Sequence, residues 1–213
     1  MNDSNARRDG GLSAEWRERI EFERRIIHAA GALYVAPYLL GWLSWEWTRA
    51  LLVVGLIVVA LLEGLRLIVG LDHAIYRALT RPYERESVAG YALYQVSMTW
   101  VGLWFAPPIA IPAMWMLALG DPVSGALGTN AADEFKRPRV WVATFLVCLV
   151  VALPITIPAF GTTVGTLAAA VGAFGAAVAD GLPPVIRGRA VDDNLTIPLF
   201  AAIGIWVVVA TIG

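Results

Sequence analysis

Seven stretches of this chain, at residues 26 to 43, 50 to 69, 87 to 106, 107 to 119, 140 to 160, 162 to 182 and 196 to 212, are dominated by apolar side chains and carry few charges. About 20 apolar residues in a helix cross a hydrocarbon core about 30 Å thick. In that medium every backbone N–H and C=O must be satisfied within the protein, which leaves helices as the simplest way across. The runs therefore predict an all-α, polytopic transmembrane bundle of about seven helices. Composition agrees: 58% of the 213 residues are hydrophobic and the mean hydropathy is +0.66, too apolar for a soluble domain of that length. The fourth run is short and holds Pro107, Pro108 and Pro112, so it is expected to be tilted, broken or partly re-entrant. Pro154 and Pro158 are expected to bend the fifth.

The basic residues alternate with the runs. Arg7, Arg8, Arg17, Arg19, Arg24 and Arg25 precede the first; Arg77, Arg81 and Arg85 lie between the second and third. Lys136, Arg137 and Arg139 lie between the fourth and fifth, and Arg187 and Arg189 between the sixth and seventh. The opposite connections hold only Arg49. By the positive-inside rule the N-terminus is cytoplasmic and the C-terminus outside. The chain thus divides into a polar cytoplasmic arm, residues 1 to 25, and a membrane domain, residues 26 to 213. The arm is Arg-rich and lacks the apolar core of a cleavable signal.

Several classes are excluded. The single Cys148 permits neither an intrachain disulfide nor a multi-cysteine zinc site, and His28 and His73 stand in no metal-ligand spacing. The net charge of -1 says less than where the charges sit, and no nucleic-acid partner is expected. The sixth run is made largely of Gly, Ala and Val, with Gly161, Gly165, Ala169 and Ala173 four apart. Such a face lets helices approach closely, which predicts a central place in the bundle.

Charges at membrane level are costly, so each one beyond a plain loop is a functional candidate. Five groups stand out: Glu23, Arg24, Arg25 and His28; Glu63 with Arg66; Arg81, Glu84, Arg85 and Glu86 leading to Gly90 and Tyr91; Gly120 and Asp121 through Ser124, Gly125 and Gly128 to Lys136, Arg137 and Arg139; and Asp192, Asp193 and Asn194. All face the cytoplasm in the predicted topology. Plainer roles stay open for each. Glu63 and Arg66 are three apart and fit a helical ion pair. Arg81 and Arg85 fit snorkelling topology determinants. Asp121-Pro122 fits an N-cap with proline in the first turn, and Asp192 or Asp193 fits a cap of the last helix. Together, however, aspartates, small residues and a lysine beside an arginine are the ingredients of phosphoryl transfer. Carboxylates hold Mg²⁺, Lys and Arg balance phosphate charge, and glycines let backbone amides come close. No Walker A sequence, GxGxxG or HExxH occurs.

From about Glu23 to its end, the chain resembles the CTP-dependent lipid kinase family that includes dolichol kinase, phytol kinase and the yeast-type diacylglycerol kinase. Asp192-Asp193-Asn194-Leu195-Thr196-Ile197-Pro198-Leu199 looks like that family's DDNLTIPL signature. Arg24-Arg25-Ile26-Ile27-His28 with Gly31 is similar to its opening basic pair, histidine and glycine. Glu63 with Arg66, then Arg81, Glu84 and Gly90, fall where the family has a Glu/Arg pair and a charged lead-in to a helix. Asp121 through Gly128 is similar to the Asp-x-x-Ala-x-x-x-Gly part of its CTP motif, with Ser124 for alanine. Lys136 keeps step with the motif's lysine, but Arg137, Pro138, Arg139 and Val140 follow where the family continues to Glu-Gly, and Ala132 stands near an expected glycine. Asp180 stands where a glutamate is expected.

The resemblance implies transfer of the gamma-phosphate of a nucleoside triphosphate, CTP, to the hydroxyl of a long-chain lipid alcohol such as a polyprenol, dolichol or phytol, with Mg²⁺. It implies Asp121 and Asp193 at the metal, with Asp192 as an alternate ligand, and Ser124, Gly125, Gly128, Lys136, Arg137, Arg139 and Asn194 around the nucleotide. Glu84 or His28 would orient or deprotonate the lipid hydroxyl. Three alternatives stay open: a cytidylyltransferase making a CDP-lipid, an inactive family member, and a lipid or ion transporter. The oligomeric state is left open.

Overall fold

The structure, a computed structural model of the chain, describes residues 25–71, 73, 76, 80, 84, 86–128, 136–182, 185–186 and 189–213, with backbone alone at 185–186 and 189–190. Arg81, Arg85, Arg187 and nearly all of the polar arm lie outside the described residues. Apart from turns and connections, the described chain is helical, with one short ribbon of two-residue strands, β1 (Val185–Ile186) against β2 (Arg189–Ala190).

Helices α1 (Trp45–Leu67), α3 (Pro107–Leu127), α4 (Pro138–Phe160), α5 (Thr162–Gly181) and α6 (Asp193–Ile212) are each long and apolar enough to cross a membrane. Between α1 and α3 lies α2 (Gly90–Trp104), whose 15 residues rise about 22 Å, short of a full span. The first apolar run is a leading segment of short pieces: helix over 25–30, a 3-10 helix Gly31–Val35 and an α-helix Ala36–Leu39. It ends near Gly41, whose φ of +72° turns the chain toward α1.

The fourth run is longer than the sequence pattern predicts. Helix α3 runs on past Leu119 as Pro107–Trp115, a π-helical turn Met116–Gly120, and Asp121–Leu127. Pro122 has no N–H to return to the Ala118 carbonyl, and the widened turn just before it accommodates the lost bond. Asp121 therefore sits within a continuing helix and does not cap a new one.

Helix α5 lies between α4 and α6, as its small side chains predict. A Cβ on Gly165 would fall 2.5 Å from the Thr156 carbonyl oxygen of α4, and one on Gly175 would fall 2.8 Å from that of Phe200 in α6. Gly161, φ +80°, is the link from α4 to α5 rather than part of that face. The core gathers Met98, Ile111, Met114, Met116, Leu117, Ile197 and Ile205 from α2, α3 and α6. Helix α1 is peripheral: Leu51, Val54, Ile57, Val58 and Leu61 are exposed, an apolar face suited to lipid.

Candidate functional site

The end of α3, Lys136 two residues before α4, the end of α5 and the start of α6 meet at one end of the bundle. Close packing sets this up. A Cβ on Gly120 would lie 2.8 Å from Cys148 Sγ, so α4 rests directly on the π-helical turn, and Cys148 Sγ lies 3.8 Å from the Met116 carbonyl. Asp121 and Ser124 follow on the next turn, with Ser124 fully buried.

Lys136 Nζ donates to Asp180 Oδ1 at 2.6 Å and to Ser124 Oγ at 2.9 Å. Ser124 Oγ donates to Asp180 Oδ2 at 2.6 Å, which Thr144 Oγ1 also reaches at 3.5 Å. Asp193 Oδ2 is 3.9 Å from the same ammonium. One carboxylate oxygen from each of Asp121, Asp180 and Asp193 lies within 4.8 Å of the others. Burial alone would lower the Lys136 ammonium, but the carboxylates of Asp180, Asp193 and Asp121 outweigh it and hold the group above its ordinary value.

Asn194 stands beside this cluster, and the fold fixes its orientation. Asp192 caps α6 through Oδ1, accepting from the Asn194 backbone N–H at 3.0 Å and from Asn194 Nδ2 at 2.7 Å. The Asn194 backbone carbonyl accepts from Ser97 Oγ at 2.6 Å. Asn194 is 6% exposed, and its side-chain oxygen has no hydrogen-bond partner among the described residues. A buried acceptor left in that state is costly unless a ligand supplies the missing contact. Three converging carboxylates are the oxygen donors a hard cation takes, and Asn194, next in the chain to Asp193, carries a further oxygen with no partner among the described residues, so the residues fit Mg²⁺.

A cavity of about 420 Å³ opens beside the cluster, with Asp121 and Asn194 in its wall. Its apolar lining comes from Ile27 and Tyr34 of the leading segment and Val59 and Leu62 of α1. His28 and Glu84 add polar groups. His28 Nε2 is 3.6 Å from Asp121 Oδ2, and its ring meets Tyr94 edge to face at 4.4 Å. Glu84, 4% exposed, accepts from the Gly90 N–H at 3.2 Å.

The second charged group acts as a clamp. Glu63 accepts from Arg66 Nε at 2.9 Å and Nη2 at 2.7 Å, from the Ala89 N–H at 3.2 Å, and from the Tyr91 hydroxyl. Arg66 also donates to the carbonyls of Glu84 at 3.0 Å and Ser87 at 2.6 Å. The pair is thus more than a helical ion pair: it ties α1 to the segment that carries Glu84 and Gly90.

Of the residues singled out in the sequence, Asp121, Ser124, Lys136, Asp193 and Asn194 come together here. The Gly125 carbonyl accepts from Arg25 at 2.8 Å, which docks the leading segment on α3. Gly128 ends α3, its N–H bonded to the Ser124 carbonyl. Arg137 and Arg139 are exposed, and Asp192 serves as the α6 cap. Asp180 is central to the cluster, although the sequence reading gave it no role. Its signal was present: it is the sole charged residue between 162 and 182. Thr144 and Tyr94 carry no comparable mark.

Among the described residues the fold and site together define a helical bundle with five apolar helices long enough to span a membrane and a lysine-bearing acidic cluster beside a largely apolar cavity. No family model, curated protein or solved structure matches it.

Proposed function

We propose that the protein is a membrane kinase that transfers the gamma-phosphate of a nucleoside triphosphate to the hydroxyl of a long-chain lipid alcohol. The observation that carries this reading is the convergence of the Asp121, Asp180 and Asp193 oxygens, within 4.8 Å of one another, with Asp121 also in the wall of a largely apolar cavity. That arrangement suits an amphiphile whose tail is apolar and whose reacting group must reach a charged centre. The family resemblance favours CTP as donor and a polyprenol, dolichol or phytol as acceptor.

Asp121, Asp180 and Asp193, with the Asn194 side-chain oxygen, would hold Mg²⁺, which supplies neutralisation of phosphate charge. The lipid hydroxyl attacks the gamma phosphorus, the bond to the nucleoside diphosphate breaks, and the hydroxyl proton passes to His28 or Glu84, both in the cavity wall. Lys136 balances charge on the phosphates, and the cavity positions the hydroxyl.

The topology belongs to the same reading. Arg25, Glu63, Gly90, Asp121, Lys136, Asp180 and Asp193 gather at one end, so successive segments run away from it and back to it. This alternation supports seven passes that begin at the site end and finish opposite, with α2 and the leading segment as incomplete ones. The excess of basic residues on that side supports a cytoplasmic position for it, where the nucleotide is.

Purified protein incubated with Mg²⁺, alpha- or gamma-labelled CTP or ATP, and a panel of polyprenol, phytol and diacylglycerol tests the reaction. Gamma label in the lipid is expected. Alpha label would replace the kinase by a cytidylyltransferase, and no label with any acceptor would end both.

A further inference from the structure

Lys136 occupies ground that a divalent cation also needs. Its Nζ is 2.6 Å from Asp180 Oδ1 and 3.9 Å from Asp193 Oδ2, and these are two of the three carboxylates that converge. Asp180 is already well supplied: Ser124 bonds its other oxygen at 2.6 Å and Thr144 reaches it at 3.5 Å. A dication arriving among these oxygens meets the ammonium as a like charge at close range. Three carboxylates against one ammonium still favour its arrival.

The part able to yield is the lysine. Asp121, Asp180 and Asp193 are carried on α3, α5 and α6, each held by its neighbours. Lys136 precedes α4, outside any helix, on a stem of four rotatable carbons. A lysine ammonium binds phosphate as a point charge and needs no fixed fork geometry, so it can change partner by swinging.

We propose that Lys136 is a cation-exchange switch. Its ammonium neutralises Asp180 and Asp193 until a divalent cation binds, and the cation then releases it to the phosphates of the donor. The inference rests on the metal-dependent reading above and adds an order to it: the phosphate-binding charge becomes available only when the metal is in place.

Lys136 is the only lysine in the chain, so amine acylation followed by peptide mass spectrometry reports on this one side chain. With the full chain in lipid nanodiscs at fixed pH, saturating Mg²⁺ is expected to raise Lys136 acylation about tenfold over monovalent salt of equal ionic strength, a usual size for coupled sites. Added CTP is expected to protect it again. In a second measurement, Mn²⁺ followed by electron paramagnetic resonance binds Lys136→Met about tenfold more tightly than the wild type. Acylation unchanged by Mg²⁺ while Mn²⁺ binds makes Lys136 a fixed strut; the exchange is then wrong and the kinase reading untouched. Acylation that rises with Mg²⁺ and stays high with CTP overturns the handover to phosphate. Absence of Mn²⁺ binding in both proteins removes the exchange and the metal-dependent reading together. The acylation measurement uses wild-type protein, so it stands even where the variant fails to fold.

Discussion

At the scale of single residues, the cluster separates two kinds of aspartate. Asp121 is partly exposed on the cavity wall, whereas Asp180 is 2% exposed and holds the ammonium of Lys136. Asp121→Asn is therefore expected to keep the fold and to lower phosphoryl transfer about a hundredfold or more, with Mn²⁺ affinity falling in parallel. Wild-type rates in that variant would take Asp121 out of the site. Asp180→Asn removes one partner of a buried pair, and breaking such a pair costs about 3–5 kcal/mol, so loss of thermal stability in detergent is expected beside loss of activity. The pH behaviour of Lys136 follows from its raised value. The stabilisation it brings is fully present below the ordinary lysine value and is lost as pH rises through the still higher folded one. Between pH 6 and 9, any change in turnover must then come from another group, and Lys136→Arg should leave the shape of that profile unaltered. These residues were unequally legible. Asp121, Asp193 and Lys136 announce themselves as charges beside apolar runs. The role of Asn194 depends on which way its amide points, and that is decided by Asp192 and the first turn of α6.

At the scale of elements, α5 was the most readable and the leading segment the least. Small residues four apart can serve few purposes other than close packing, and α5 indeed lies against both α4 and α6. Gly172→Leu drives a side chain into Ile205, whose Cγ1 lies 2.5 Å from where a Cβ would stand, so a loss of about 1–3 kcal/mol is expected in thermal unfolding. An unchanged melting temperature would show that α6 gives way there. Residues 26 to 43 pass a hydropathy test for a span, yet Pro37 and the positive φ of Gly41 break them into short pieces, which composition alone does not reveal. The reverse error arose in α3, where Asp121 looked like the end of a run and the helix instead continues through a π-helical turn. The Glu63–Arg66 clamp is likewise a relation between elements, invisible until α1 meets 84–91. Glu63→Ala leaves the Arg66 guanidinium without its carboxylate and should cost about 3 kcal/mol or more. Hydrogen exchange at the Ala89 and Gly90 amides should rise with it; protection equal to wild type would assign the hold on that segment elsewhere.

At the scale of the whole molecule, the proposed kinase reaction requires the site to face the compartment that holds nucleotide. On the proposed reading the distribution of basic residues gives that direction, and the gathering of alternate helix ends gives the residues that share it. Both can be tested with one labelling scheme, because the single native cysteine, Cys148, is buried and contributes little background. Arg137 lies exposed at the site end, just before α4, and Thr162 lies exposed at the far end, at the start of α5. A membrane-impermeant maleimide added to intact cells is expected to label Thr162→Cys at once and Arg137→Cys only after the membrane is opened. Labelling of both from one side would show that α4 does not cross, which contradicts the alternation on which the proposed seven-pass arrangement rests. The inverted pattern would be more serious for the chemistry than for the fold. The bundle would survive it unchanged, but Asp121, Lys136 and Asp193 would then face away from cytosolic nucleoside triphosphate, and transfer seen with purified protein could not describe what the protein does in a cell.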